Sequence, residues 1–305
     1  MSRVAVIIPC YNEEKTIGKV IDDVKKVIPN CQIFVGDNNS SDDTFSVSLN
    51  HGAIVKKIHK QGKGSVIRKL FTIIDADIYV MIDGDDTYDV SSLLEMISYI
   101  ENENYDVVVG NRLATTYFSE NKRVFHNFGN KLVNNFINFL FKGQIQDTMS
   151  GFRVMSRQFV KSLPLLDNGF GIETEMTIHI LNKNYSIKEI PVNYKNRIEG
   201  SYSKLNTFSD GAKIIKTIIY LFKEYRPMLF FSIFSILCLI ISIILFVPIF
   251  ADYLKTGVVP RFPTLIVSGV ILILSLIFFI TGVILDSIKN KYNQLTEIIN
   301  NKYNN

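Results

Sequence analysis

Blocks of apolar residues alternate with helically spaced segments over the first 110 residues of the chain. Between the apolar runs, hydrophobic residues recur every three or four positions, as at Ile17, Val20, Ile21 and Val24. This alternation predicts an α/β fold, with helices on both faces of a mostly parallel sheet. The runs that predict strands are RVAVII (3–8), QIFV (32–35), AIVKKI (53–58), DIYVMID (77–83) and YDVVVG (105–110).

Two runs in the second half of the chain, residues 228–250 and 264–285, contain no charged residue. Each has the roughly 20 apolar residues that cross a hydrocarbon core of about 30 Å. Both runs are apolar on every side, which argues against a pair of core helices in a soluble protein. They therefore predict two transmembrane helices joined as a hairpin.

Basic residues flank this hairpin on its outer ends. Lys223 and Arg226 precede the first span, and Lys289 and Lys291 follow the second. Positive residues favour the cytoplasmic side, so both ends are predicted to be cytoplasmic. The start of the chain also lacks the apolar core of a signal peptide, which predicts a large cytoplasmic N-terminal part.

The chain is thus expected to comprise four parts. A cytoplasmic α/β domain covers 1–205, an amphipathic interface helix 206–227, the hairpin 228–285 and a cytoplasmic tail 286–305. The Asn-rich end of that tail, residues 290–305, is expected to be frayed or disordered. A further helix is predicted within 123–143, with Val124, Phe128, Leu132, Phe136, Phe139 and Leu140 along one face. Core packing is the default interpretation of this face, and contact with a membrane surface is the alternative.

Composition excludes several classes of site. The net charge of +4 is too small to argue for nucleic acid binding. Cys10, Cys31 and Cys238 show neither redox nor metal-binding spacing, and the four histidines are scattered. A disulfide framework or a zinc site is therefore not expected.

Polar loops follow four of the predicted strands. The loops are IPCYNEE (8–14), GDNNSSDD (36–43), DGDDTYD (83–89) and VGNR (109–112). In parallel sheets ligands bind beyond the carboxyl ends of the strands, so these loops predict a site on one edge. Asp83 and Asp85 form a D-x-D pair there, and such carboxylates bind Mg²⁺ or Mn²⁺ together with substrate phosphates. An acidic turn that caps the next helix is the simpler alternative.

Six motifs come in the order seen in GT-A family 2 glycosyltransferases, which the chain resembles over residues 3–210. They are IPCYNEE (8–14), VGDNNSSDDT (35–44), KQGKGS (60–65), DGDD (83–86), VGNR (109–112) and DTMSGFRV (147–154). The closer likeness is to the polyprenyl-phosphate branch, such as dolichol-phosphate mannose synthases and undecaprenyl-phosphate glucosyltransferases. RIEGSYSKLNT at 197–207 is similar to that branch's R-x-x-G-x-S-K element, with one extra residue. The hairpin fits the subgroup with a C-terminal membrane anchor.

The resemblance implies a Rossmann-like GT-A fold and a donor site for a GDP- or UDP-linked hexose. In the family, Asp83 and Asp85 would hold Mg²⁺ or Mn²⁺ at the diphosphate. Thr87 stands where the mannose synthases carry a metal-binding Gln, which leaves the remaining ligands open. The residues implied in nucleotide-sugar binding, besides the two aspartates, are Pro9, Tyr11, Glu13, Asp37, Lys63 and Gly64.

The resemblance also implies a lipid phosphate acceptor. Its phosphomonoester is already a competent nucleophile at pH 7, so positioning by cations matters more than a strong base. The implied phosphate-binding residues are Arg112, Arg123, Asn127, Arg197 and Lys204. Asp147 is a candidate base, or it orients Arg153 or a loop backbone. The catalytic set is Asp85, Asp147, Arg112 and Arg123, whereas Glu173 and Glu175 are expected only to open a helix.

The expected reaction is the inverting transfer of one hexose to dolichyl or undecaprenyl phosphate at the cytoplasmic face of a membrane. A diacylglycerol or ceramide acceptor is an alternative, and it would require a general base. A non-catalytic nucleotide-sugar-binding scaffold is another. Processive synthases carry Q-x-x-R-W, and the chain has no Trp, which argues against that class. The sequence leaves homo-oligomer formation open.

Overall fold

The computed structural model describes residues 2–115, 117, 124–164, 168–169, 171–197 and 207–303. The chain divides into two compact units, Met1–Ile218 and Ile219–Asn305. The first unit contains the sheet and its covering helices. The second contains the long apolar helices.

The first unit is built on a seven-stranded sheet with the order β3-β2-β1-β4-β6-β5-β7. Its strands are β1 Val4–Cys10, β2 Gln32–Asp37, β3 Ile54–Lys57, β4 Ile78–Met81, β5 Val107–Asn111, β6 Arg153–Ser156 and β7 Ile187–Pro191. All pairs are parallel except those of β6, which runs antiparallel to β4 and β5. The predicted mostly parallel α/β fold is therefore confirmed. The sequence did not indicate β6 or β7, because Arg153–Ser156 and Ile187–Pro191 are short and carry charged residues, so neither forms a continuous apolar run.

Helices cover both faces of this sheet. The helices described between residues 17 and 183 are α1 Ile17–Val27, α2 Thr44–Asn50, α3 Lys63–Ile73, α4 Leu93–Glu103, α5 Val124–Phe141, α6 Arg157–Ser162 and α7 Ile172–Lys183, of which α5 contacts α7. Successive residues of a strand point to opposite faces, so Val6 and Ile8 enter one core and Ala5 and Ile7 the other. The first core is completed by α1 and α4, and the second by α3, α6 and α7. Burial on both faces explains why the strands are continuously apolar.

Helix α5 presents two different faces. Val133, Ile137 and Phe141 are buried, whereas Leu132 and Phe139 are 43% and 81% exposed. Core packing is thus wrong for the face that contains Leu132 and Phe139, because the helix is rotated so that a neighbouring set of residues enters the core. The side chains of residues 124–128 lie outside the described part of this helix.

The second unit begins within helix α8, Thr207–Tyr225, and continues through α9, Pro227–Thr256, and α10, Phe262–Tyr303. Helices α9 and α10 are long and apolar enough to cross a membrane by length and composition. Buried serines join them: Ser275 Oγ donates to Ser235 O at 2.9 Å, and Ser242 Oγ donates to Ser268 O at 2.8 Å. Hydroxyl and small side chains let apolar helices pack closely.

The alternative of a disordered tail from residue 290 is wrong up to Tyr303, because α10 continues without a break to that residue. No Gly or Pro occurs between residues 286 and 303. Adding residues to an existing helix is far easier than starting one, so the span nucleates its polar extension.

His179 of α7 makes the stability of the first unit depend on pH. Its ring is 3% exposed and lies between Phe159 and Tyr185, with centroids at 6.2 and 5.7 Å. Burial lowers the pKa of His179 to about 4. Between pH 6.5 and 4 the unfolded chain therefore binds more protons than the native one, and stability falls as the pH falls. By pH 5 this residue should remove about 2 kcal/mol of unfolding free energy.

The check is thermal unfolding of the detergent-solubilised protein at pH 7 and pH 5, compared with His179→Phe. The variant should lose clearly less stability on acidification than the wild type. An equal loss in both proteins would assign the acid sensitivity to other groups.

Candidate active site

The carboxyl ends of the central strands bring the predicted loops together on one edge of the sheet. Pro9 and Cys10 of β1 lie beside Gly36 and Asp37 of β2. Thr16 Oγ1 donates to Gly84 O at 2.7 Å, which joins the loop after β1 to the D-x-D loop after β4. The predicted grouping of these loops is therefore a property of the fold.

Asp85 is fixed from two sides. Its side chain is 6% exposed, and Oδ1 accepts hydrogen bonds from Thr87 Oγ1 at 2.6 Å and Thr87 N at 3.3 Å. Oδ2 forms an ion pair with the Arg197 guanidinium. Thr87 thus orients Asp85 through its hydroxyl.

Asp83 lies where the backbone of a second loop approaches it closely. Its carboxylate pairs with Lys63 Nζ at 2.5 Å. A Cβ atom added at Gly151 would lie 2.5 Å from Asp83 Oδ2, so only glycine leaves room for this carboxylate.

Lys63 also forms an ion pair with Glu173, so it holds two carboxylates at once. Burial alone would lower the pKa of Lys63, but the charges of Asp83 and Glu173 outweigh burial and raise the pKa above its usual value. Lys63 begins α3, directly after Gly62, whose φ of 118° favours glycine. Glu173 lies in the first turn of α7, as the sequence predicted, yet it also belongs to the charged site. No local signal could reveal this pairing, because its partner is far away in the sequence.

Arg112 and Asp147 form a second buried pair on this edge. Arg112 Nε donates to Asp147 Oδ2 at 2.9 Å, and Nη2 donates to Oδ1 at 3.4 Å and to Met149 O at 3.1 Å. Asp147 is 1% exposed. The guanidinium carbon lies 5.1 Å from the ring centre of Tyr117 and 6.0 Å from that of Tyr194, within cation–π range. Burial opposes the charged form, but Asp147 outweighs burial and raises the pKa of Arg112.

Arg153 has a different role from the one considered for it. It is fully buried, and its guanidinium donates to Ser150 O, Thr148 O and Thr177 Oγ1, each at 2.9 Å. The side chain of Asp147 instead forms an ion pair with Arg112, and its Oδ1 accepts a hydrogen bond from Met149 N at 3.3 Å. Of the two orienting roles considered for Asp147, the contact with its own loop backbone is thus present.

The remaining predicted residues fall into two groups. Glu13 and Asp37 are buried on the edge, Tyr11 is 40% exposed, and Gly64 N donates to Gly169 O at 3.1 Å. Arg197, which was predicted to bind the acceptor phosphate, forms an ion pair with Asp85 of the D-x-D loop. Arg123 and Lys204 lie outside the described residues, as does the side chain of Asn127.

The ion pairs described above join the carboxylates Asp83, Asp85, Asp147 and Glu173 to the cations Lys63, Arg112 and Arg197. No cluster of three or more His, Cys, Asp or Glu residues suited to a metal occurs in the described ranges. A divalent ion at Asp83 and Asp85 would therefore need oxygens from a bound ligand or water, as Mg²⁺ commonly does with substrate phosphates.

Comparison with known proteins shows the family to which the chain belongs, glycosyltransferase family 2. The family profile described as "Glycosyl transferase family 2" matches residues 5–163. Glycosyltransferase AglJ of Haloferax volcanii is 30% identical over 230 residues, which cover 75% of this chain and 75% of that protein. The dolichyl-phosphate hexose transferase of the same organism is 30% identical over 222 residues, which cover 73% of this chain and 95% of that protein.

A solved structure shares the fold. It is glucosyl-3-phosphoglycerate synthase from Mycobacterium tuberculosis, in complex with Mn²⁺, UDP and glucosyl-3-phosphoglycerate. The TM-score is 0.57 at 20% identity, and the match covers 72% of this chain and 79% of that one. At this identity the likeness concerns the fold alone.

The shared role of Lys63 predicts a specific pattern of stabilities. Lys63→Met leaves Asp83 and Glu173 facing each other without their cation, and it should cost about 3 kcal/mol of unfolding free energy. Adding Glu173→Gln removes one of the two charges and should recover a large part of that loss.

Thermal unfolding of the single and double variants measures this pattern, with Lys60→Met as the exposed control. The control should behave like the wild type. A double variant no more stable than Lys63→Met would mean that repulsion between the two carboxylates is not the cause.

Proposed function

Because the chain belongs to glycosyltransferase family 2, we propose that it transfers a hexose from a GDP- or UDP-linked donor to a polyprenyl phosphate, with inversion at the anomeric carbon. The observation that carries the proposal is the placement of the Asp83–Asp85 pair on the same sheet edge as the buried Arg112–Asp147 pair. One pair suits a donor diphosphate, and the other suits an anionic acceptor. The likeness to a dolichyl-phosphate hexose transferase supports this assignment.

The donor nucleotide is proposed to bind along the loops after β1 and β2. Asp37 would reach the base, and Pro9, Tyr11 and Glu13 would line the nucleotide. Lys63 and Gly64, at the start of α3, would approach the diphosphate. Lys63 suits this place because it is already charged and held at the edge by Asp83 and Glu173.

Asp83 and Asp85 would hold Mg²⁺ or Mn²⁺. The residues fit such an ion, since both are hard carboxylate donors on one short loop, and Asp83 remains 25% exposed. The Thr87 hydroxyl is already bonded to Asp85, so water and diphosphate oxygens would complete the coordination. Such an ion neutralises charge on a departing nucleoside diphosphate.

The acceptor phosphate is proposed to bind at Arg112, with Arg123, Asn127, Arg197 and Lys204 as further partners. Both oxygens of Asp147 accept hydrogen bonds from the Arg112 guanidinium. This carboxylate is therefore better suited to orienting Arg112 than to removing a proton. A phosphate acceptor needs no strong base, whereas a lipid hydroxyl would.

A membrane location agrees with a lipid acceptor. We propose that α9 and α10 span the bilayer and that the first unit lies on the cytoplasmic side. The exposed Ile215 and Ile219 of α8 lie among Lys213 and Lys216, a pattern suited to a bilayer surface with anionic lipids. The exposed Leu132 and Phe139 of α5 are proposed to make a similar contact.

The direct test is a transfer assay with the full chain in detergent. Labelled UDP- and GDP-sugars are supplied with Mg²⁺ or Mn²⁺ and with polyprenyl phosphate, diacylglycerol or ceramide in separate reactions. We expect label to enter the organic phase only with polyprenyl phosphate and a divalent ion. Asp85→Asn should lower this transfer by about 100-fold or more, because the loss falls on charge stabilisation in the transition state.

Asp89→Asn, in the same loop, serves as the control and should retain transfer. Label in diacylglycerol or ceramide would contradict the proposed acceptor. Nucleotide binding without transfer to any lipid would instead favour a non-catalytic role, and full activity of Asp85→Asn without added metal would overturn the metal assignment.

A further inference from the structure

Helix α5 carries asparagines at every fourth position on its inner side. Asn130, Asn134 and Asn138 lie one turn apart, so they share one face of the helix. Asn130 and Asn134 are only 5% and 7% exposed. Burying an amide is unfavourable unless its donor and acceptor groups are bonded. Two of these amides find their partners in the segment that contains Asp147.

Asn138 binds the beginning of that segment in both directions. Its Nδ2 donates to Ile145 O at 2.8 Å, and its Oδ1 accepts Ile145 N at 3.1 Å. The amide thus replaces a strand partner for one residue of extended chain. Ile145 is thereby tied to the helix two residues before Asp147.

Asn134 binds the chain on both sides of Asp147. Its Nδ2 donates to Gln146 O, and its Oδ1 accepts hydrogen bonds from both Thr148 N and Thr148 Oγ1. The distance from Thr148 N to Asn134 Oδ1 is 3.2 Å. One side chain therefore fixes the peptide group before Asp147 and the peptide group after it.

Other residues complete the hydrogen bonding of this segment. The Glu189 carboxylate accepts hydrogen bonds from two backbone amides: Gln146 N donates to Oε2 and Asp147 N donates to Oε1, both at 2.9 Å. Arg153 and Thr177 donate to Thr148 O. These partners come from the sheet and from α7, whereas Asn134 and Asn138 are contributed by α5. The orientation of the Asp147 carboxylate toward Arg112 follows from this fixed backbone.

We infer that Asn134, supported by Asn138, is a positioning residue that acts through Asp147 and Arg112. The inference rests on the proposed function, in which Arg112 binds the acceptor phosphate. The Asn134 hydrogen bonds reach the peptides around Asp147, so its effect passes through the backbone. A displacement of about 1 Å at a reacting group can lower a rate by roughly 100-fold.

The first test compares Asn134→Ala with Asn135→Ala, the exposed neighbour on the same helix. Asn134→Ala should lower kcat for transfer by about 10- to 100-fold and leave the Kd of the nucleotide sugar within about twofold. Asn135→Ala should match the wild type in both quantities. Unchanged kcat in Asn134→Ala would overturn the inference.

The second test separates positioning from a general loss of structure. In an Asp147→Asn background, adding Asn134→Ala should cost at most about twofold further, because residues that act as one unit are not additive. A full additional loss of 10-fold or more would show that Asn134 acts independently of Asp147, which contradicts the inference.

A readout without any acceptor keeps this test distinct from the proposed function. Hydrogen exchange of the 145–149 peptide should accelerate in Asn134→Ala and not in Asn135→Ala. If the wild type transfers no sugar to polyprenyl phosphate but exchange responds in this way, the acceptor proposal fails and the positioning role stands. Unaltered exchange in Asn134→Ala would refute the positioning role itself.

Discussion

The site depends on the pairing of carboxylates with cations at the carboxyl edge of the sheet. Buried or half-buried charges are costly unless they have partners of opposite sign. The structure provides one cation for Asp85, one for Asp147, and a single shared cation for Asp83 and Glu173. These cations are Arg197, Arg112 and Lys63, respectively. Each pair joins loops that are distant in sequence, so the charges also hold the edge together.

This pairing has a direct consequence for ligand binding. The carboxylates that would hold a divalent ion in the proposed function, Asp83 and Asp85, are those that Lys63 and Arg197 contact. The chain's own cations and an added ion would therefore compete for Asp83 and Asp85. Arg197 is the first residue of the R-x-x-G-x-S-K-like segment, so its release from Asp85 would free a guanidinium for a phosphate. The Arg112–Asp147 pair is separate, and its backbone is fixed by amides of α5.

Features with a local period were predictable from the sequence, and features that join distant residues were not. Strands β1 to β5, helices α1 and α4, and the loop that contains Asp83 and Asp85 follow from apolar runs and helical spacing. Strands β6 and β7 were missed because Arg153–Ser156 and Ile187–Pro191 have no such pattern. The pairing of Glu173 with Lys63 and the hold of Asn134 on the Asp147 segment depend on the tertiary fold. The exposed face of α5 was misassigned because two adjacent apolar stripes compete for the core, and composition does not decide between them.

The most direct measurement is a Mn²⁺ titration of the full chain in detergent, followed by electron paramagnetic resonance in the presence of UDP. Asp85→Asn provides the baseline, and Lys195→Ala controls for removal of a nearby positive charge. If the chain's own cation occupies the ion's place, Arg197→Ala should bind Mn²⁺ about tenfold more tightly than the wild type, which corresponds to about 1.4 kcal/mol. Equal or weaker binding by Arg197→Ala would contradict the account.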